Sequence, residues 1–116
     1  MNIEDIARTC HEANRAVCEI HGDRSHFAWD DAPGWQKKAI ISGVEFHLKG
    51  DYSPEETHDN WMRDKEKDGW VHGKVKDAEK KTHPCMVPYN KLPPHEKAKD
   101  AMIAAIVGAL KNKLTA

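Results

Sequence analysis

The sequence predicts a mainly α fold, a compact bundle of about four helices with a few short β-strands, in one domain over residues 1–116. Three observations predict it. Apolar residues recur at three-and-four spacing in the first twenty residues, again after Pro33, and again towards the C-terminus. Helix start signals stand where those patterns need them, above all Ser53-Pro54-Glu55-Glu56. Between them, residues 61–89 (WMRDKEKDGWVHGKVKDAEKKTHPCMVPY) are rich in large aromatics, cations and turn residues and poor in aliphatics. Such a stretch reads as a binding surface or as an irregular structural cap.

The elements follow in order. Over residues 2–20, Ile3, Ile6, Ala7, Cys10, Ala13, Val17 and Ile20 mark one helical face, Glu4 and Asp5 complement the start of the helix dipole, and Gly22 stops it. Cys10 faces the core on this pattern, whereas His11, Asn14 and Arg15 point elsewhere. His11 and Arg15 are four apart and share a face. Residues 22–32 form a polar connector whose Phe27 and Trp29 should be pinned against something. Helix two begins with Asp31 as a candidate cap and Pro33 in its first turn. Its stripe is Trp35, Ala39, Val44 and Leu48, widened by Ile40, Ile41 and Phe46, and Gly50 ends it. Helix three should run from Ser53 to about Asp68, with Gly69 as its stop. His58, Trp61, Met62 and Lys65 then share one face, where an ordinary core face would carry aliphatics.

Beyond helix three, residues 70–73 read as a short strand edge, with Val75 as a candidate start for its partner and Asp77 as a cap for a single helical turn. His83-Pro84 ends that turn, because a residue before proline avoids the helical region. Residues 86–89 are extended again. Pro93-Pro94 opens the last helix, whose residues 98–114 are apolar on more than one side, the mark of a central helix or a subunit interface.

Composition bounds the function. A net charge of −1 argues against a duplex DNA or RNA binder, which carries a basic surplus, but leaves room for a small anionic ligand on a local cationic patch. Eight histidines make the charge pH-sensitive. Three cysteines, Cys10, Cys18 and Cys85, form no disulfide framework. The start of the chain lacks the apolar core of a signal peptide, and the run over residues 101–110 is about half the ~20 residues a membrane span needs. The expected setting is a reduced cytoplasm, without membrane contact.

The segment from His58 onward carries His58-x-x-Trp61, Gly69-Trp70, Gly73, Asp77, Lys81, His83-Pro84, Val87-Pro88-Tyr89, Leu92 and Glu96-Lys97. This ordered set resembles the RyR domain, the repeat first named in ryanodine receptors and also present as a single copy in small bacterial and bacteriophage proteins. The resemblance covers roughly residues 33–110. CHEANR (residues 10–15) and DAPGWQ (residues 31–36) look like the N-terminal extension of the phage type, which divides the chain into an extension over residues 1–32 and a repeat over residues 33–114. The resemblance implies a mostly helical fold with short strands. It also implies a nucleotide in a cleft between paired repeats, with the tryptophan of the HxxW motif, here Trp61, stacking on the base and Lys65 one turn later. A single-copy chain would build that cleft by homodimerisation about a two-fold axis.

The chemistry of the residues is compatible with this. Trp61 and Trp70 can stack on a base, and Lys65, Lys81 and Arg15 can meet phosphates. His83 or Asn14 can bond a sugar or base. The candidate ligand-binding residues are therefore His11, Asn14, Arg15, His58, Trp61, Lys65, Trp70, Lys81, His83 and Tyr89. On pattern alone the competing reading, tryptophans that lock helix three to the strands, carries more weight, with Trp70 the more structural of the two; the resemblance brings the readings level. No metal or cofactor is expected. Cys10-His11, His47, His58, His72 and His83-Pro84-Cys85 lack the CxxC or HxxxH spacing of zinc motifs. No nucleophile elbow, phosphate loop or HExxH is present, so a non-enzymatic module is expected. It would be a phage sensor or sponge of an adenine nucleotide, an ADP-ribose-like compound or a cyclic nucleotide. The alternative is a protein-interaction or structural accessory module with no small-molecule ligand.

Overall fold

The computed structural model describes residues 1–115. Helix α1 (Ile3–Ile20) starts where Asn2 and Asp5 cap each other reciprocally: the Asn2 side chain accepts from the Asp5 N–H at 2.9 Å, and the Asp5 carboxylate accepts from the Asn2 N–H at 2.8 Å. Ile6, Ala7 and Cys10 are fully buried, as the spacing requires. The stripe is shorter than its pattern, since Ile3 is 36% and Ile20 80% exposed. His11 departs further from expectation. It points inward, 2% exposed, because its Nε2 lies 2.7 Å from the Phe27 carbonyl, which satisfies the buried imidazole.

The connector after α1 ends in a 3-10 turn, Trp29–Asp31, that buries Trp29. Asp31 belongs to this turn and does not cap the next helix. Helix α2 (Gly34–Leu48) begins after Pro33, which fills the N-cap position without a side-chain hydrogen bond. Helix α3 (Pro54–Lys67) has the capping box read from the sequence: the Glu56 N–H donates to Ser53 Oγ and the Ser53 N–H to the Glu56 carboxylate, each at 3.1 Å. It ends in a Schellman motif. The Trp70 N–H reaches back to the Lys65 carbonyl and the Gly69 N–H to that of Glu66, both at 3.0 Å, with Gly69 at φ 88°.

Strand β1 (Val71–His72) pairs in parallel with β2 (Thr82–His83), Val71 opposite Thr82. Val75 is not part of the sheet. It is 72% exposed, and its carbonyl accepts from Thr82 Oγ1. Residues 77–81 form a turn instead of a helix, because the Asp77 carboxylate takes the N–H groups of Glu79 and Lys80 and its backbone bridges to Thr82. Gly73 lies so close to β2 that a Cβ there would stand 2.6 Å from that of Thr82. A second 3-10 turn, Tyr89–Lys91, leads to α4 (Pro94–Leu110), and a third, Lys111–Lys113, follows it.

Helix α4 packs against α1, α2 and α3 and is central in that sense. Only one side of it is deeply buried, through Ile103 and Val107, whereas Ala101, Ala105 and Ala109 are exposed. The core joins Ile6, Ala7, Cys10, Trp29, Val44, Ile103 and Val107, flanked by Ile40, Ile41, Leu48, Ile106 and Leu110. Burial of each large aliphatic contributes roughly 1.5–3 kcal/mol. Among the described residues no helix is long and apolar enough to cross a membrane.

Candidate functional site

Helix α3 contributes nothing to that aliphatic cluster; its buried residues are Thr57, His58 and Lys65, all polar. Each therefore needs a specific partner. Thr57 Oγ1 lies 2.9 Å from His47 Nε2 and donates to the Ser53 carbonyl at 3.0 Å. His58 Nε2 lies 2.7 Å from the Val87 carbonyl, which can only accept, so Nε2 carries the proton. This bond ties α3 to the Val87-Pro88-Tyr89 segment. Asp100 on α4 stands 4.0 Å from His58 Nδ1, and burial pushes its carboxyl up to about 7.

Around α3 the rings form a continuous row. Trp35 lies 6.0 Å from Trp70, Trp70 6.3 Å from His83, and His83 presents an edge to Trp61 at 5.0 Å. Trp61 stacks on His58 at 5.5 Å, and His58 reaches Tyr89 at 6.2 Å. A cation stands at each end. Lys65 Nζ is 4.6 Å from the Trp70 centroid and 5.2 Å from that of Trp35, and Lys97 Nζ is 5.4 Å from Tyr89. Lys65 is only 8% exposed, and desolvation followed by the repulsion of Lys76 lowers its pKa. The Cys85 N–H donates to His83 Nδ1 at 3.0 Å, and burial, reinforced by Lys76, pushes the His83 pKa down to about 3, so this imidazole is neutral. Burial, then Glu96, pushes the Cys85 thiol up to about 12, the opposite of what a thiol nucleophile requires.

Six of the ten residues singled out in the sequence thus meet in one row: His58, Trp61, Lys65, Trp70, His83 and Tyr89. Lys65 turns away from Trp61, to lie between Trp35 and Trp70. Lys81 is used elsewhere. In the left-handed region at φ 56°, it donates to the Asp68 carbonyl at 2.6 Å, at the negative end of the α3 dipole. His11, Asn14 and Arg15 lie on α1. Arg15 pairs with Glu12 at 3.2 Å and Glu19 at 3.6 Å, and Asn14 is half-buried. His11 holds the connector through the Phe27 carbonyl and meets the rings of His26 and Trp29.

At its Trp35 end the row opens into a cavity of about 140 Å³ walled by Phe27, Trp35, Trp70, Gln36, Ser25 and Lys76, with Ala78. Phe27 and Trp35 are 57% and 44% exposed, so ring surface is free there. Gln36 is buried; its Nε2 donates to the Ser25 carbonyl at 3.2 Å, whereas its buried Oε1 has no donor among the described residues. Lys76 at the wall pairs with Asp23 at 3.0 Å. Of these wall residues sequence reasoning named Trp70 for the site and missed Trp35 and Gln36, because Trp35 fits the helix-two stripe and a lone glutamine carries no pattern. The DAPGWQ motif, which holds Trp35 and Gln36 side by side, was the available signal. A second, more open groove of about 230 Å³ lies between α2 and α3 and is lined by Phe46 and polar residues, including Asn60 and the hydrogen-bonded pair Ser42 and Asp64.

The family model for the RyR domain matches residues 48–111, more than half of the chain. The match takes in α3, both strands and α4, and with them every ring of the row except Trp35.

Proposed function

The chain belongs to the RyR domain family, and from that premise we propose that it is a non-enzymatic module binding a nucleotide-type ligand at the Trp35 end of the row. The observation that carries this reading is the cavity itself. It combines free aromatic surface on Phe27 and Trp35 with the Lys76 side chain at its wall. A purine offers the complement: a flat face worth about 1–3 kcal/mol when stacked, and phosphates for lysine. Trp61 is the less available ring, because His58 already stacks against it at 5.5 Å. The cavity of about 140 Å³ is small against the roughly 300–1,000 Å³ of whole-ligand pockets. It suits a base alone, with sugar and phosphates lying outside it against a second copy of the chain across a two-fold axis. The setting we infer is a phage or prophage protein in a host cytoplasm, where the module senses or sequesters an adenine nucleotide, an ADP-ribose-like compound or a cyclic nucleotide.

A thermal-shift panel of those three compound classes tests this. At least one member should raise Tm in the parent protein and fail to do so in Trp35→Ala. A folded protein that responds to none of them contradicts the proposal. The exposure of Phe27, Trp35, Val71 and Val75 supports a second reading, an interaction module that buries these side chains against another protein. On that reading the panel is silent, and Trp35→Ala abolishes capture of a protein partner.

A further inference from the structure

Away from the ring row, the end of α1 gathers three metal-ligating side chains, and we propose that Cys18, Asp23 and His26 form a binding site for one zinc ion. The backbone dictates their meeting. Helix α1 closes in the same type of motif as α3, with the Asp23 N–H bonded to the Cys18 carbonyl at 2.8 Å and the Gly22 N–H to that of Glu19 at 3.0 Å. The chain therefore folds back at Gly22, returns Asp23 to the level of Cys18, and brings His26 three residues later. One ligand atom from each residue lies within 4.8 Å of the others. Tetrahedral zinc, with ligand bonds of about 2.0–2.3 Å, separates its ligands by roughly 3.5 Å, so modest side-chain rotations close the site. A thiolate, an imidazole and a carboxylate are the borderline donor set that zinc takes, and solvent supplies the fourth position.

Two further observations point to a ligand. His26 Nδ1 is buried and has no hydrogen-bond partner among the described residues, an uncommon state for a buried imidazole nitrogen. The other two donors each hold a cation: Lys99 Nζ donates to Cys18 Sγ at 3.3 Å and Lys76 Nζ to Asp23 Oδ2 at 3.0 Å. These ammoniums supply positive charge where the metal would, and they compete with it. Lys99 can withdraw at little cost, because it already pairs with Glu96 at 2.7 Å. Bound zinc would clip the end of α1 to the connector that carries Phe27, a wall of the aromatic cavity.

The test uses the full chain freed of metal by chelation and titrated with cobalt(II), then zinc(II), against a chromophoric chelator. The site predicts one cobalt per chain, a thiolate-to-cobalt charge-transfer band that zinc abolishes, and a zinc-dependent rise in Tm. The band should be absent in Cys18→Ser and retained in Cys85→Ser. His26→Gln should bind at least about tenfold more weakly, and Lys76→Gln, which removes a competitor, more tightly than the parent. Should Cys18→Ser fail to fold, His26→Gln with an intact circular dichroism spectrum decides the matter. Absence of a charge-transfer band in the parent, its loss in Cys85→Ser, or unchanged affinity in folded His26→Gln overturns the site.

Discussion

Two regions of this small bundle are held together by different means. Where α1, α2 and α4 meet, the contacts are aliphatic, and Cys10 is a thiol that burial pushes up to about 12, so it acts as an apolar side chain. Where α3 meets the strands and the Val87–Tyr89 turn, the buried groups include the His58 imidazole, the Lys65 ammonium and the Trp70 indole, each with a named partner. The first kind of packing is non-directional and tolerates small shifts. The second is directional, leaves ring surface free at its edge, and is the kind from which a binding site is made.

The comparison can be broken most severely from the aliphatic side. Ile6→Ala empties a fully buried position and should cost about 2–5 kcal/mol in denaturant unfolding. On the directional side, His58→Ala leaves the half-buried Val87 carbonyl without its donor and should cost about 1–3 kcal/mol. Its near-UV circular dichroism should change as Trp61 loses its stacked neighbour, a signature Ile6→Ala should lack.

The smaller effects are in pH dependence, to which two groups of the directional region contribute in opposite senses. His83 titrates near 3 in the folded protein against an ordinary 6.5. The unfolded chain therefore takes up that proton first, and stability falls as pH drops from about 6.5 towards about 3. Asp100, raised from 3.8 to about 7, works in the opposite sense. The unfolded chain releases its proton above 3.8, so the favourable contribution present at lower pH is lost as pH rises to about 7. Unfolding of Asp100→Asn across pH 4–8 should therefore show the variant gaining on the parent as pH rises. A gap independent of pH would contradict this.

How much of this was legible follows the same division. The reciprocal cap at Asn2 went unread, but the Ser53–Glu56 cap, the Gly69 stop and the Ile6–Cys10 part of the α1 face are local patterns, and they appear in the fold. The α2 stripe appears only in part, since Val44 is buried but Trp35 is 44% exposed and Gln36 and His47 take buried places. His11 defeated the pattern because its burial rests on a carbonyl sixteen residues away. The partner of β1 was placed at Val75, whereas it starts at Thr82, because a parallel pairing leaves no hairpin signal in the intervening sequence. The face bearing His58, Trp61 and Lys65 was visible by helical spacing, and yet Lys65 turns to rings on two other segments. The cavity at the end of the row needed three separate stretches, around Phe27, Trp35 and Trp70, to be brought together, and periodicity carries no information about that.

The protein holds four tryptophans, Trp29 in the aliphatic core and Trp35, Trp61 and Trp70 in the ring row. Their indole N–H resonances, assigned by single substitutions in a ¹H–¹⁵N spectrum, can be followed while AMP, ADP-ribose and a cyclic nucleotide are titrated in turn. The account predicts that at least one compound shifts Trp35 and Trp70 saturably, moves Trp61 less, and leaves Trp29 in place. Four stationary indoles with all three compounds, or a shift confined to Trp29, would contradict it.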